Sequence, residues 1–404
     1  MGNYTKTLLI GCGGSGIATL TRLNELLSSN PNFRSDVREN ISYLLIDTDR
    51  GALDGFEATI EAQMGGRGRN LPAIAKAHIT EGLSHLNDVV GKYFDKFEGE
   101  TLEEMKKHWL YSPDGKPFRA THIGDVTAGA GQCCQVSYLA TWNYMRKLNE
   151  KLETLWDELR RNNGRAITEI QVLLVAGLAG GTGRGSWPLV AFKVRQFLET
   201  HGIKTDIIGV FFDVSCYPNY TQGEDNKEKR ENMIVNSYTG MSELSGWLKL
   251  KEKDWYRYTL PYLDDPRSNA IEVKPGLSIK QSPVSKAFLI FGTNGVTGDL
   301  LNNTQYHEMA ATALYSMVVY HDAVRAIFGS NDRLNIGSFG ATTFEVDTYH
   351  LRAFFETAAR RNFVMAQRAE LGDSGQVAEE ADLAVGIKTP KKGTFLGDNC
   401  LWLP

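Results

Sequence analysis

The stretch AGGTGRGS, residues 179–186, follows a run of apolar and small residues at 172–177 and precedes a segment with helical patterning. A glycine-rich turn between a buried strand and a helix can aim its backbone N–H groups at an anion, at the positive end of the helix dipole. Two similar turns occur earlier. GCGGSG at residues 11–16 follows the first apolar run, and AGAG at residues 128–131 lies between the other two. Three turns able to cradle phosphate in one chain call for a nucleotide.

Working outward, short β-rich runs at 7–10, 41–46, 170–176, 206–214 and 287–291 alternate with helix-like segments at 16–28, 132–162, 186–201, 227–250 and 304–328. This alternation predicts an α/β fold, a doubly wound parallel sheet with helices on both faces. The segment at 304–330 reads as a long, buried central helix, with Met309, Ala313, Leu314, Met317 and Val318 on one stripe. Residues 1–303 are expected to form the nucleotide-binding domain. Two stretches exceed a minimal doubly wound unit: 55–119, read as an inserted helical region, and 251–283, rich in proline. Residues 331–404 are then a loop and a short C-terminal region, with a strand at 341–346 and a helix at 349–371.

Composition narrows the function. With 44 basic and 48 acidic residues, and a net charge of −4, the 404-residue chain has no polyanion-seeking surface, so nucleic acid is not an expected direct partner. Five cysteines without metal-ligand spacing argue against a disulfide framework and a zinc site, and fit a reducing cytoplasm. No run of 18 apolar residues occurs, so no membrane span is expected.

GCGGSG alone satisfies the dinucleotide-binding pattern, but that fold needs one glycine fingerprint, whereas here several strand ends converge. A P-loop is excluded because no GxxxxGK[ST] occurs; Lys92 and Lys116 follow glycines without the rest of the pattern. Charge neutralisation must come from backbone dipoles, a metal and Arg184. Asp47 and Asp49, at the end of the second strand, can supply a Mg2+ shell, directly or through water, or simply cap the strand end. His307-Glu308 lacks the second histidine of a metal motif, and Cys133-Cys134 begin a helix, where thiolates are stabilised.

The set of motifs resembles the tubulin and FtsZ superfamily. GGTGRGS is similar to its glycine signature, GCGGSGIATLTRL to its opening phosphate loop, LLIDTDRGAL to the segment after the second strand and AGAG to the third phosphate loop, in the same order over residues 7–337. The resemblance implies a GTP- and GDP-binding protein using Mg2+, of prokaryotic or phage type. It implies self-association into head-to-tail filaments with hydrolysis coupled to assembly, and adaptor proteins of unknown identity. It places Gly11, Cys12, Gly13, Gly14 and Ser15 on the α and β phosphates, with Cys12 where tubulins have glutamine. Gly129, Ala130 and Gly131 fall at the γ-phosphate, and Gly180, Gly181, Thr182, Gly183 and Arg184 around the β and γ groups. Pro218 and Asn219 fall at the ribose, and Asn236 at the base.

The hydrolytic carboxylate of this superfamily sits on the loop after the central helix and reaches the neighbouring subunit's nucleotide. Here the corresponding pattern reads Asn335-Ile336-Gly337, without the aspartate, and Asp332 is the candidate substitute. A non-polymerising nucleotide switch or scaffold of the same fold is therefore the alternative expectation.

Overall fold

The computed structural model of the protein describes residues 6–30, 40–63, 71–83, 89, 130, 132–161, 167–217, 227–249, 282–292, 301–321, 336–338 and 356–357. The chain divides into two compact units, Met1–Ala341 and Thr342–Pro404. All elements named below lie in the first; of the second, residues 356–357 are described, and they are helical.

Among the described residues the first unit is built on seven parallel strands: β1 (Thr7–Cys12), β2 (Ile41–Asp47), β3 (Ala73–His78), β4 (Glu169–Gly177), β5 (Lys204–Phe212), β6 (Lys286–Ile290) and β7 (Ile336–Ser338). Their spatial order is β3-β2-β1-β4-β5-β6-β7. The helices are α1 (Gly13–Ser29), α2 (Arg50–Gln63), α3 (Cys134–Asn143), α4 (Met145–Arg161), α5 (Gly181–Thr200), α6 (Lys227–Lys249) and α7 (Asn303–Val319). The expected doubly wound α/β architecture is present.

Both faces of the sheet are covered, so the central strands are apolar throughout rather than alternating. Leu8, Ile10, Leu44, Ile46, Val172 and Leu174 point into a layer with Trp142, Leu155 and Trp187 of α3, α4 and α5. Leu9, Tyr43, Leu45, Leu173 and Val175 point the other way, against Leu20, Phe56, Tyr306 and Leu314 of α1, α2 and α7. Helix α6 places Met233 in the second layer and Leu244 in the first, so it contributes to both.

Several elements differ from the sequence reading. Residues 55–78, expected inside an inserted helical region, instead supply most of α2 and edge strand β3, which pairs with β2 in register from Ser42↔Ala73 to Asp47↔His78. The pattern AIAKAH is too short and alanine-rich to advertise a strand; its pairing with β2 decides it. The single helix expected over 132–162 is two, α3 and α4, parted at Tyr144. Val214, read as part of β5, begins a 3₁₀ turn (Val214–Cys216) capped by Asp213. Helix α7 is buried on one side only, through Tyr306, Ala310, Ala311, Leu314, Met317 and Val318, with Met309 and Ala313 at the margin. The expected strand at 341–346 and the rest of the helix at 349–371 lie outside the described residues.

Candidate functional site

In an open parallel sheet, ligands bind beyond the carboxyl ends of the strands where the strand order reverses. Here that point lies between β1 and β4, whose register ends at Cys12↔Ala176. The glycine turns that the sequence suggested are not separate loops. They are the first turns of α1 and α5, which begin at Gly13 and Gly181. Neither N-cap residue, Cys12 or Gly180, makes a side-chain capping bond. The first-turn N–H groups of both helices therefore lack the partner that a capping side chain would supply, which is the arrangement that binds anions. The contrast within the chain is direct, since α7 carries a complete capping box from Asn302 and Gln305.

The two turns touch. Gly13 has φ +74°, and a Cβ there would lie 2.8 Å from the backbone nitrogen of Gly183; a Cβ on Gly183 would lie 2.8 Å from the carbonyl oxygen of Gly177 and 3.0 Å from that of Cys12. Only glycine at both positions lets α1 and α5 start this close together. The third turn is adjacent as well: a Cβ on Gly181 would meet Ala130 Cβ and Cys133 N, each at 3.0 Å. Gly14, Ser15, Gly180 and Thr182 form the accessible rim, while Gly11, Gly13, Gly181 and Gly183 are buried. Cys12 is fully buried in the layer with α5, and burial pushes its thiol up to about 12, so its neutral side chain leaves only main chain to offer.

The loop after β2 joins this group. Thr48 Oγ1 lies 2.9 Å from Thr182 Oγ1. Asp47 is 4 % exposed, and its Oδ1 accepts from the backbone nitrogens of Thr48 at 2.7 Å and Asp49 at 3.2 Å. Burial pushes the Asp47 carboxyl up to about 6, against the opposing pull of those two bonds. Exposed Asp49 accepts from Gly51 N at 2.8 Å. One oxygen of each carboxylate thus builds the turn into α2. No lysine or arginine among the described residues pairs with Asp47, and no group of three metal-ligating side chains occurs among them. A buried carboxylate without a cation, next to an anion-seeking turn, fits a Mg2+ ion that takes one or two carboxylates and completes its shell with water and phosphate oxygens.

Two residues take roles that the sequence did not signal. Asn236 of α6 is buried and its Nδ2 donates to Gln132 O at 2.8 Å and Ala179 O at 3.2 Å. Its amide protons tie the turn before α3 to the turn after β4. The turn before α3 includes Gln132 at φ +64°, a conformation unfavourable for a residue with a side chain, which the Asn236 bond helps hold. Arg184 is buried and directed to α6, where its guanidinium meets Glu243 Oε2 at 2.7 Å.

Tyr217, Thr48 and His78 were not anticipated. Tyr217 follows the 3₁₀ turn, and its hydroxyl lies 2.8 Å from Ser15 Oγ, closing one side of the first turn of α1. His78 Nε2 and Thr80 Oγ1 both reach Thr48 O, at 3.1 and 3.2 Å. Nothing in the local sequence marks these residues, because each acts through a partner distant in the chain. Gly129, Gly131, Pro218, Asn219 and Asp332 lie outside the described residues.

A second concavity, of about 320 Å³, runs along β3 and is lined by Arg50, Asp54, Lys76, His78, Lys151 and Glu158, among others. Its central cation is held on both sides: Lys76 binds Asp54 at 2.7 Å and Glu57 at 2.6 Å.

None of the curated proteins matches the sequence. Among solved structures, a GTPγS-bound protofilament of CetZ2 from Haloferax volcanii is similar at 13% identity and a TM-score of 0.36, covering 80% of this chain and 62% of that one. CetZ from Methanosaeta thermophila is similar at 10% identity and a TM-score of 0.32, covering 79% of this chain and 54% of that one. A GTPγS-form protofilament of TubZ from Bacillus thuringiensis serovar israelensis gives 13% identity, a TM-score of 0.31, and coverages of 79% and 56%. The chain thus spans between about half and two thirds of the length of these proteins. A family model described as "Tubulin like" matches residues 8–365, which is most of the sequence and runs from β1 past β7, and the chain belongs to that tubulin-like family.

Proposed function

We propose that this protein binds GTP and GDP, with Mg2+, at the carboxyl ends of β1 and β4, and polymerises head to tail with GTP hydrolysis coupled to assembly. The observation that carries the reading is the contact of two uncapped helix starts, Gly13 of α1 against Gly183 of α5, at the point where the strand order reverses. A triphosphate held there is bound by main-chain N–H groups from α1, α5 and the turn at Gly129, Ala130 and Gly131, without a P-loop lysine. Asp47 and Asp49 hold the metal, directly or through water. The metal, when bound, neutralises charge on the outer phosphates.

Membership of the tubulin-like family supports guanine as the base and a heterologous contact between copies, which generates filaments when its rotation does not close. Asn219 at the ribose and Asn236 near the base belong to this reading, with the Asn236 amide acting by fixing the turns it bonds. Asp332 supplies the carboxylate that orients the hydrolytic water on a neighbouring copy's nucleotide. A cytoplasmic setting belongs to the same proposal; no described helix is long and apolar enough to cross a membrane.

The alternative, a nucleotide-bound switch or scaffold that does not turn over, is favoured by one feature: Gly337 stands where the superfamily pattern has its aspartate. Sedimentation and phosphate release with GTP, for the wild type and Asp332→Ala, separate the two. GTP-dependent pelleting, with release lost in the variant, supports the first reading. Binding with neither supports the second. Stabilisation against heat by NAD but not by GTP would overturn both.

A further inference from the structure

The described structure leaves one charged group near the phosphate turns in an unusual state. Arg184 lies on the first turn of α5, one residue past Gly183, and its side chain is 7% exposed. It does not point back to the turn that bears it. One terminal nitrogen meets Glu243 of α6 at 2.7 Å, Nε is buried with no hydrogen-bond partner among the described residues, and Glu243 itself is 47% exposed. A buried guanidinium thus faces one half-solvated carboxylate and keeps a donor unmet, an arrangement of high cost that a stronger anion would relieve.

Helix α6 is shaped to receive this side chain. A Cβ at Gly240 would lie 2.8 Å from Arg184 Nε and 2.9 Å from its Cδ, so the absence of a side chain there leaves room for Arg184 in this position. Asn236, Gly240 and Glu243 fall four and three residues apart and share one face of α6. That face makes two attachments to the nucleotide end of the sheet: Asn236 to the carbonyls of Gln132 and Ala179, and Glu243 to Arg184. The opposite face carries Ile234, Val235 and Tyr238, exposed by 48, 58 and 69%.

We propose that Arg184 is a charge switch between the phosphate turns and α6: without a polyphosphate it holds Glu243, and a polyphosphate at the start of α5 draws the guanidinium away and loosens α6. This rests on the proposed binding of a nucleotide polyphosphate, and adds how its occupancy reaches a distant element. A triphosphate carries several negative charges against the single charge of Glu243. At the first turn of α5 it lies well within one Debye length of Arg184, about 10 Å at 0.1 M salt. Glu243 bears its charge in partial contact with water and is released at low cost. With one attachment gone, α6 is held by Asn236, by Ser237, which donates to Asp213 at 2.7 Å and accepts from Val214 N at 3.2 Å, and by its apolar contacts.

The experiment compares the full-length wild type with Glu243→Gln, Arg184→Gln and Arg184→Lys. Affinity for GTP and for inorganic tripolyphosphate is measured, with amide hydrogen exchange of α6 in each state. In the wild type, saturating tripolyphosphate or GTP is expected to speed exchange across α6 about tenfold. Glu243→Gln is expected to show the faster exchange without ligand, and to bind GTP about fivefold more tightly, because the competing carboxylate no longer has to be displaced. A purely structural role for Glu243 would leave affinity unchanged or weaken it. Arg184→Gln removes both responses; should it fail to fold, Arg184→Lys, which keeps the charge and loses the fork, is expected to respond at least threefold less. Bound GTP that leaves α6 exchange unaltered, with Glu243→Gln binding as the wild type does, overturns the switch and spares the nucleotide reading. Failure of GTP, ATP and tripolyphosphate alike to bind overturns both. Tripolyphosphate binding without GTP binding, with faster exchange in α6, supports the switch and removes the guanine assignment.

Discussion

The carboxyl ends of β1 and β4 present main chain, whereas the cleft along β3 is lined by charged side chains. At the first, Gly13, Gly181 and Gly183 bring three turns together and Cys12 hides its thiol. Unmatched dipoles remain for a ligand. Along β3, Lys76 is already held by Asp54 and Glu57, and Lys147 by Glu81 at 3.2 Å. What separates the two is that the first presents helix starts with no capping side chain, whereas in the second Lys76, Asp54 and Glu81 are held in ion pairs.

Substitutions that fill the main-chain site should break this contrast most. Gly183→Ala sets a methyl group against the carbonyls of Gly177 and Cys12, and neither is a flexible side chain. We expect about 2–3 kcal/mol lost in denaturant unfolding, at the upper end of overpacking costs, and at least a hundredfold weaker GTP binding by fluorescence titration. Gly14→Ala is the control, since a methyl group there meets nothing within 4 Å. Its stability should change by less than about 0.5 kcal/mol.

Asp47 sharpens the same contrast through pH. Its folded carboxyl, pushed up to about 6 from 3.8 by burial, binds a proton more tightly than in the unfolded chain. Stability contributed at this residue therefore falls as pH rises from about 4 to about 6, and is level above that. Asp47→Asn keeps an oxygen for Thr48 N and Asp49 N and removes the charge. We expect it to gain about 1–2 kcal/mol at pH 8 and nothing at pH 4 in paired melts. Its Mg2+-dependent GTP affinity should fall at least tenfold. A variant that is both more stable and still binds normally would remove the carboxylate from the site.

Thr48→Val and Thr182→Val should each cost about 1 kcal/mol, and the double variant little more than either, because one hydrogen bond is shared. Least affected should be Lys76→Ala. Its ion pairs are partly solvated, so the cost is expected below about 1 kcal/mol and smaller still at high salt. GTP binding should be unchanged. A tenfold loss there would show that the cleft and the nucleotide end act as one site.

Much of this was legible in the residues themselves. The apolar runs of β1, β2, β4, β5 and β6 announce strands buried on both faces, and the glycines after β1 and β4 announce close approach, since each property follows from side-chain chemistry within a few positions. Strand β3 was hidden because AIAKAH gains its conformation from pairing with β2, and the break at Tyr144 because helical pattern runs straight through it. The direction of Arg184 could not be read from GGTGRGS. It depends on Gly240 and Glu243, more than fifty residues away, leaving room and charge on α6. Local patterning thus determined which segments become strands and where anion-binding turns occur, whereas tertiary packing decided which turns meet, which donors stay unmatched and whom each buried charge faces, because those are matters of distance between groups that the chain itself keeps far apart.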